Sequence, residues 1–209
     1  MTSPCVAVRH SMIDVAAKCF FDWLACATAL LLFSPVLIGI AIAVKASSRG
    51  PALYTQRRRG RSGRVFTIYK FRTMYVQLRE SGQVVQATRD DPRVTAVGRW
   101  LRRTSLDELP QLINVLKGDM SLVGPRPHAV EHDDLYEPLI RGYSARQSVK
   151  PGITGWAQIN GLRGETEHIE KMAARVAYDL YYVTNWSLLF DMRIIAYTAF
   201  SGFACRNAY

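Results

Sequence analysis

Asp107 and Glu108 stand side by side in the segment Thr104-Ser-Leu-Asp-Glu-Leu-Pro110. Neighbouring residues on a helix diverge by about 100°, so the two carboxylates cannot grip a glycosidic bond from both sides. A carboxylate nucleophile beside a metal-binding or orienting carboxylate is the more sensible chemistry. A purely structural role competes with it. Ser105 with Glu108, and Thr104 with Asp107, each fit the capping box that opens a helix. Both acids cannot fill the same capping position, so one of them is left free. Arg102 and Arg103 lie about one helical turn upstream, and Arg126 follows between Pro125 and Pro127. Surplus arginine at a helix start suits a phosphate. Glycine-rich nucleotide loops, HExxH and GxSxG are absent, as is an Asp-x-Asp metal motif, and the four histidines are scattered.

The elements that must position these residues can be read from periodicity. Leu109, Leu112, Ile113 and Leu116 recur at helical spacing and Gly118 closes the run, which predicts an amphipathic helix over 106–117. Residues 65–72 alternate like a strand and carry Lys70 and Arg72. Residues 79–95 and 119–127 read as loops, 150–164 as glycine-punctuated irregular chain, and 165–185 as a helix. Residues 186–203 are apolar and aromatic, which suits a membrane interface and core packing equally.

Upstream lies a run of different character. Residues 25–44 carry no formal charge and would make about 30 Å of helix, one hydrocarbon thickness. Ser34-Pro35 sits near its centre, where proline removes a backbone hydrogen bond and clashes with the preceding turn. Basic residues flank both ends, Arg9 and Lys18 before and Lys45 and Arg49 after. A spanning helix is normally biased to one side. The pattern therefore predicts a helix-break-helix that enters and leaves a membrane by one face, with the Ser34 hydroxyl helping to satisfy the break. A kinked helix that spans fully is the alternative.

Apolar residues at 49% and charged residues at 21% exclude disorder over most of the 209-residue chain. Lysine and arginine total 27 against 17 acids, a net charge of +10, and 21 of the 27 are arginine, which points to an anionic partner. Fourteen of them fall within residues 49–103 beside only three acids, so the excess charge directly follows the apolar run, with residues 56–64 near anionic headgroups. A nucleic-acid partner is set aside, because it leaves the apolar run unexplained and the aromatics do not interleave with the basic stretch. Cys5, Cys19, Cys26 and Cys205 show no metal-binding spacing, which favours a reducing compartment without a disulfide scaffold. Taken together, the residues alone read as a membrane-associated enzyme of phosphoryl transfer.

Residues 102–127, RRTSLDELPQLINVLKGDMSLVGPRP, resemble the signature of the bacterial sugar transferases known as monotopic phosphoglycosyl transferases. YKFRTM at 69–74, KPGITGWAQING at 150–161 and YDLYY at 178–182 match further blocks in the same order, and Ser34-Pro35 matches that family's re-entrant membrane helix. The resemblance covers roughly residues 10–200. It implies an α+β, mostly helical fold, with a re-entrant membrane helix over residues 1–48 and a small cytosolic catalytic domain over 49–209 that carries interfacial amphipathic helices. The implied reaction moves a sugar-1-phosphate from a UDP-sugar to undecaprenyl phosphate, releasing UMP and starting the assembly of a polysaccharide or glycoconjugate. Asp107 would be the nucleophile, forming a phosphosugar-enzyme intermediate, with Glu108 as its partner. Mg2+ would neutralise the diphosphate, with Asp107 and Glu108 as its ligands. Arg102, Arg126, Lys70 and Arg72 would meet substrate or lipid phosphate. GLRGET at 161–166 leans toward the hexose-1-phosphate branch, whose members usually carry extra N-terminal membrane helices and a further soluble domain. The implied setting is the cytosolic face of the bacterial inner membrane, among membrane lipids and without nucleic acid, with a homodimer left open.

Overall fold

In the computed structural model the described residues are 11–76, 91–164 and 168–202. Arg9, Cys5, Cys205 and residues 79–90 of the expected loop lie outside them, as do 165–167.

Helix α1, Met12–Ser47, opens on a side-chain cap, Ser11 accepting from the Ile13 N–H at 3.2 Å. It is long and apolar enough to cross a membrane. Helical structure continues through Ser34-Pro35, where an interruption was expected. The reason is local. Proline lacks the N–H that would reach the Leu31 carbonyl four residues back, and the Ser34 hydroxyl donates to that same carbonyl at 2.8 Å.

A β-hairpin follows, β1 Leu53–Arg59 against β2 Val65–Phe71, antiparallel and in register from Leu53 opposite Phe71 to Arg59 opposite Val65. The strand expected at 65–72 is therefore present and carries Lys70. Helix α2, Ala96–Thr104, is capped by Thr95, whose Oγ1 accepts from the Gly98 N–H at 2.9 Å. It stops at Ser105, which takes a left-handed φ of 58°.

The single helix expected over 106–117 is divided. Leu106–Glu108 form one 3-10 turn, and helix α3 runs only from Gln111–Leu116 after Pro110. The capping-box reading falls with it. Ser105 closes the helix before rather than opening the one after, and Thr104 Oγ1 turns back to the Trp100 and Leu101 carbonyls. One residue separates the two elements, and a spacing rule cannot tell an end from a start across so short a gap.

Two segments expected to be irregular contain a small parallel sheet, β3 Ser121–Val123 beside β4 Gly152–Thr154. A Cβ on Gly152 would lie 2.1 Å from the Gly124 backbone nitrogen. The glycines that suggested loops in fact permit two backbones to touch. Helices α4 Val130–Tyr136, α5 Trp156–Ile159, α6 Ile169–Asn185 and α7 Leu188–Gly202 complete the described chain, with a 3-10 segment at Tyr143–Ser148. α7 packs into the core along one side. Ile194 is buried against Val123, Tyr182 and Val183, while Leu189 and Phe200 stand exposed.

α1 packs against the elements that follow it. Its Cys26, with Ala29 and Leu30, packs among Ile68, Leu112, Val115 and Met120. Further along, Ile40 and Val44 pack on Phe71 and Leu101. Polar contacts pin each end. Lys18 pairs with Asp191 of α7, and Ser121 donates to Asp22 at 2.6 Å. At the other end the Arg72 guanidinium donates to the carbonyls of Val44, Ser48 and Arg49. Between these attachments Leu31, Leu32, Phe33, Val36 and Ile38 face outward.

Candidate active site

The divided helix is what builds the site. Ser105 in the left-handed region turns the chain sharply, a conformation that costs a non-glycine residue about 1–2 kcal/mol. The next turn then presents Asp107 and Glu108 inward, and both are buried.

Their surroundings differ. Arg126 forms two parallel bonds to Glu108, Nη2 to Oε1 at 2.5 Å and Nη1 to Oε2 at 3.0 Å. Lys70, from β2, adds a bond to Oε1 at 3.0 Å, and Arg163 stands at 3.7 Å. Burial would raise the Glu108 pKa, but Arg126 and Lys70 outweigh it and hold this carboxyl well below 4.5. Burial works against the charge on Arg126 too, and Glu108 more than restores it. Glu108 is thus an ionised anchor, its oxygens taken.

Asp107 has no hydrogen bond or ion pair on its carboxylate among the described residues. Burial and the charge of Glu108 raise its pKa above 3.8, while Lys70, Arg163 and Arg102 pull the other way. One free carboxylate therefore sits within a ring of cations. That is the electrostatic arrangement an anionic nucleophile needs when its target is also an anion.

The structure brings together five of the expected residues, Asp107, Glu108, Lys70, Arg126 and Arg102, the last within electrostatic reach of Asp107 and bonded through Nε to Thr73 Oγ1 at 2.9 Å. Arg72 does not join them, because its guanidinium is spent on the end of α1. Ser34 and Pro35 lie in the exposed middle of α1. Arg163 was missed as a site residue, although it lies in the quoted GLRG. It donates to Ser105 Oγ at 2.8 Å, tying the 150–164 loop to the strained turn, and only the folded loop reveals that link.

By donor type the unengaged Asp107 carboxylate fits a hard cation such as Mg2+, which commonly takes one or two protein carboxylates and completes its shell with substrate phosphates and water, whereas the Glu108 oxygens expected beside it are held by Arg126 and Lys70. Among the described residues no cluster of three or more His, Cys, Asp or Glu forms a metal cage. Phosphates would therefore have to supply the other ligands.

A model of the family described as bacterial sugar transferase matches residues 13–205. The chain is 59% identical over 181 residues to UDP-glucose:undecaprenyl-phosphate glucose-1-phosphate transferase of Escherichia coli (strain K12), covering 86% of this chain and 39% of that relative. A protein of the same name from Caulobacter vibrioides is 52% identical over 98% of this chain and 73% of its own length. A UDP-N-acetylgalactosamine-undecaprenyl-phosphate N-acetylgalactosaminephosphotransferase from Aeromonas hydrophila is 41% identical over 88% of this chain and 44% of that relative. The chain thus spans about two-fifths of the length of several curated relatives it matches.

Proposed function

The chain belongs to the bacterial sugar transferase family, and from that premise we propose that it transfers a sugar-1-phosphate from a UDP-sugar to undecaprenyl phosphate, releasing UMP. Glucose is the first candidate sugar, since several relatives at 47–59% identity carry glucose in their names. The observation that carries the reading is the asymmetry of the dyad, with Glu108 saturated by Arg126 and Lys70 and Asp107 free beside them.

In the first step an Asp107 carboxylate oxygen attacks the sugar-linked β-phosphorus. The phosphoanhydride bond breaks, its electron pair leaves with UMP, and an aspartyl phosphosugar remains. In the second step an oxygen of undecaprenyl phosphate attacks the same phosphorus and the Asp107 carboxylate departs. Each step exchanges one oxygen–phosphorus bond for another, so nothing is oxidised and no water is consumed. Glu108 holds Arg126 and Lys70 at the site, where their charge offsets that of the transferring phosphoryl group. Arg102 serves the same end from α2. Mg2+, which Asp107 would hold together with the diphosphate while Glu108 stays with its cations, would supply further charge neutralisation.

Purified protein given undecaprenyl phosphate, Mg2+ and each of a panel of UDP-sugars should turn over and release UMP continuously with one donor, should release no more than one equivalent per protein when lipid is left out, and should stop when EDTA is added. Continuous turnover without lipid, or no UMP with any donor, would overturn the assignment.

We further propose that α1 is monotopic, with the catalytic body on the cytosolic face of the bacterial inner membrane. Support comes from its attachments. Lys18 and Asp22 at one end and Val44 and Ser48 at the other are fastened to the same body, so both ends belong on one side of a bilayer while Leu31 to Ile38 enter it. Met12 and Ala46 are exposed at the two ends. Met12→Cys and Ala46→Cys, made in a cysteine-free background, should react with an impermeant maleimide from the same side of inverted vesicles. Labelling from opposite sides would establish a span.

A further inference from the structure

The loop Pro125-Arg126-Pro127 carries the guanidinium that grips Glu108, yet its prolines have no N–H with which to tie it down. It is held instead by its carbonyls. Gly152 N–H donates to Pro125 O at 3.0 Å, Arg58 Nη1 to Pro127 O at 3.0 Å, and Arg146 Nη2 to Arg126 O. Arg146 holds more than that one atom. Its Nη1 lies 2.9 Å from His128 Nδ1, and its Nε and Nη2 meet Asp179 Oδ2 at 2.9 Å and 2.7 Å. The same Nδ1 lies 2.6 Å from the Tyr143 hydroxyl, which donates to Asp133 at 2.8 Å, so the ring is gripped from two sides. Burial and the surrounding arginines push the His128 pKa well below 6.5, which keeps it neutral. Arg146 and Asp179 are 4% and 1% exposed, so the linkage is shielded from water. One side chain thus clamps the backbone and ring on either side of Pro127 and is itself fixed to α6.

We propose that Arg146, anchored by Asp179, is a positioning residue for phosphoryl transfer: it clamps residues 126–128 and so aims the Arg126 fork at Glu108 and at the phosphate beside Asp107. The inference rests on the transferase reading above. It differs from a general contribution to the fold, because Arg146 acts through one other residue, and that can be measured as a coupling.

The experiment compares four proteins: the unsubstituted chain, Arg146→Lys, Arg126→Lys and the double variant. Lysine keeps a positive charge opposite Asp179, so no buried charge is stranded, but it cannot reach Asp179, Arg126 O and His128 together. UMP release is followed with saturating undecaprenyl phosphate, at a temperature where thermal unfolding shows all four folded. Arg146→Lys should lower kcat/KM for the UDP-sugar on the order of 100-fold, the scale expected when a catalytic group is misplaced by an ångström. In the Arg126→Lys background the same change should cost less than about 3-fold, because the group it aims is already altered. Asp179→Asn, in the same two backgrounds, should repeat the pattern and covers the case in which Arg146→Lys does not fold. Losses that multiply in the double variant, or an unchanged kcat/KM in Arg146→Lys, would overturn the proposal while leaving the transferase reading standing. An unsubstituted chain that releases no UMP with any donor overturns both.

Discussion

Asp107→Asn is expected to give a folded protein whose UMP release falls by at least about 10⁴-fold, the scale seen when an enzyme loses its nucleophile. Asparagine keeps the shape of the side chain and removes the anionic oxygen that would attack phosphorus. The same substitution should stabilise the fold. Burial and Glu108 raise the Asp107 pKa above 3.8. Between that ordinary value and the raised one, the folded state keeps a proton that the unfolded chain has lost, so stability falls as pH rises through the window. At pH 7 an ionised Asp107 is a net cost to folding, and the neutral amide removes it. In EDTA at pH 7 the variant should unfold at a higher temperature than the unsubstituted chain, and the gap should close below pH 3.8. A variant that melts lower and still turns over would count against both the nucleophile and the electrostatic account.

Glu108→Gln should behave in the opposite sense. Its carboxylate neutralises Lys70 and Arg126, both drawn in from other elements and both largely enclosed. Removing one partner of a buried ion pair strands the others, at a cost of about 3–5 kcal/mol. The folded pKa of Glu108 lies well below 4.5. Its contribution is therefore full above pH 4.5 and is lost as pH falls toward the folded value. The stability gap between the two proteins should be wide at pH 7 and narrow in acid, read from thermal unfolding across pH. Activity should drop as well, since Arg126 loses the anion that orients it. If Glu108→Gln melts like the unsubstituted chain at pH 7, the ring of cations around this carboxylate is not what holds the turn together.

How much of this was legible in the sequence varies with the kind of signal. The strand at 65–72 and the helix at 169–185 follow from periodicity, and the apolar α1 from its length. Asp107, Glu108 and Arg126 stood out because arginines outnumber the acids near them, while a phosphate-contacting role for Lys70 came only from the resemblance; the structure gathers these four together. The errors share a cause. Ser105 was read as opening a helix because the rule counts spacing and does not see φ, and at 58° this residue ends α2 instead. Gly124 and Gly152 signalled loops because a glycine needed for a turn and one needed for close backbone approach look alike. The placements of Arg72 and Arg163 were hidden for a similar reason. An arginine's destination depends on which carbonyls or carboxylates fold around it, and those lie about 23 to 58 residues away along the chain. Pro35 was expected to break α1; helical structure runs through it, with the Ser34 hydroxyl donating to the Leu31 carbonyl that the proline leaves without its N–H.

The attachments of α1 bear on how this chain would respond to the lipid around it. A helix that crosses a bilayer has to match its hydrocarbon thickness, and tilts or deforms the lipid when it does not. Here Lys18 and Asp22 at one end, and the carbonyls gathered by Arg72 at the other, fix both ends to protein. On the monotopic reading proposed above, the depth of Asp107 relative to the acyl chains would be set by these protein contacts, and a thicker or thinner membrane would leave it unchanged.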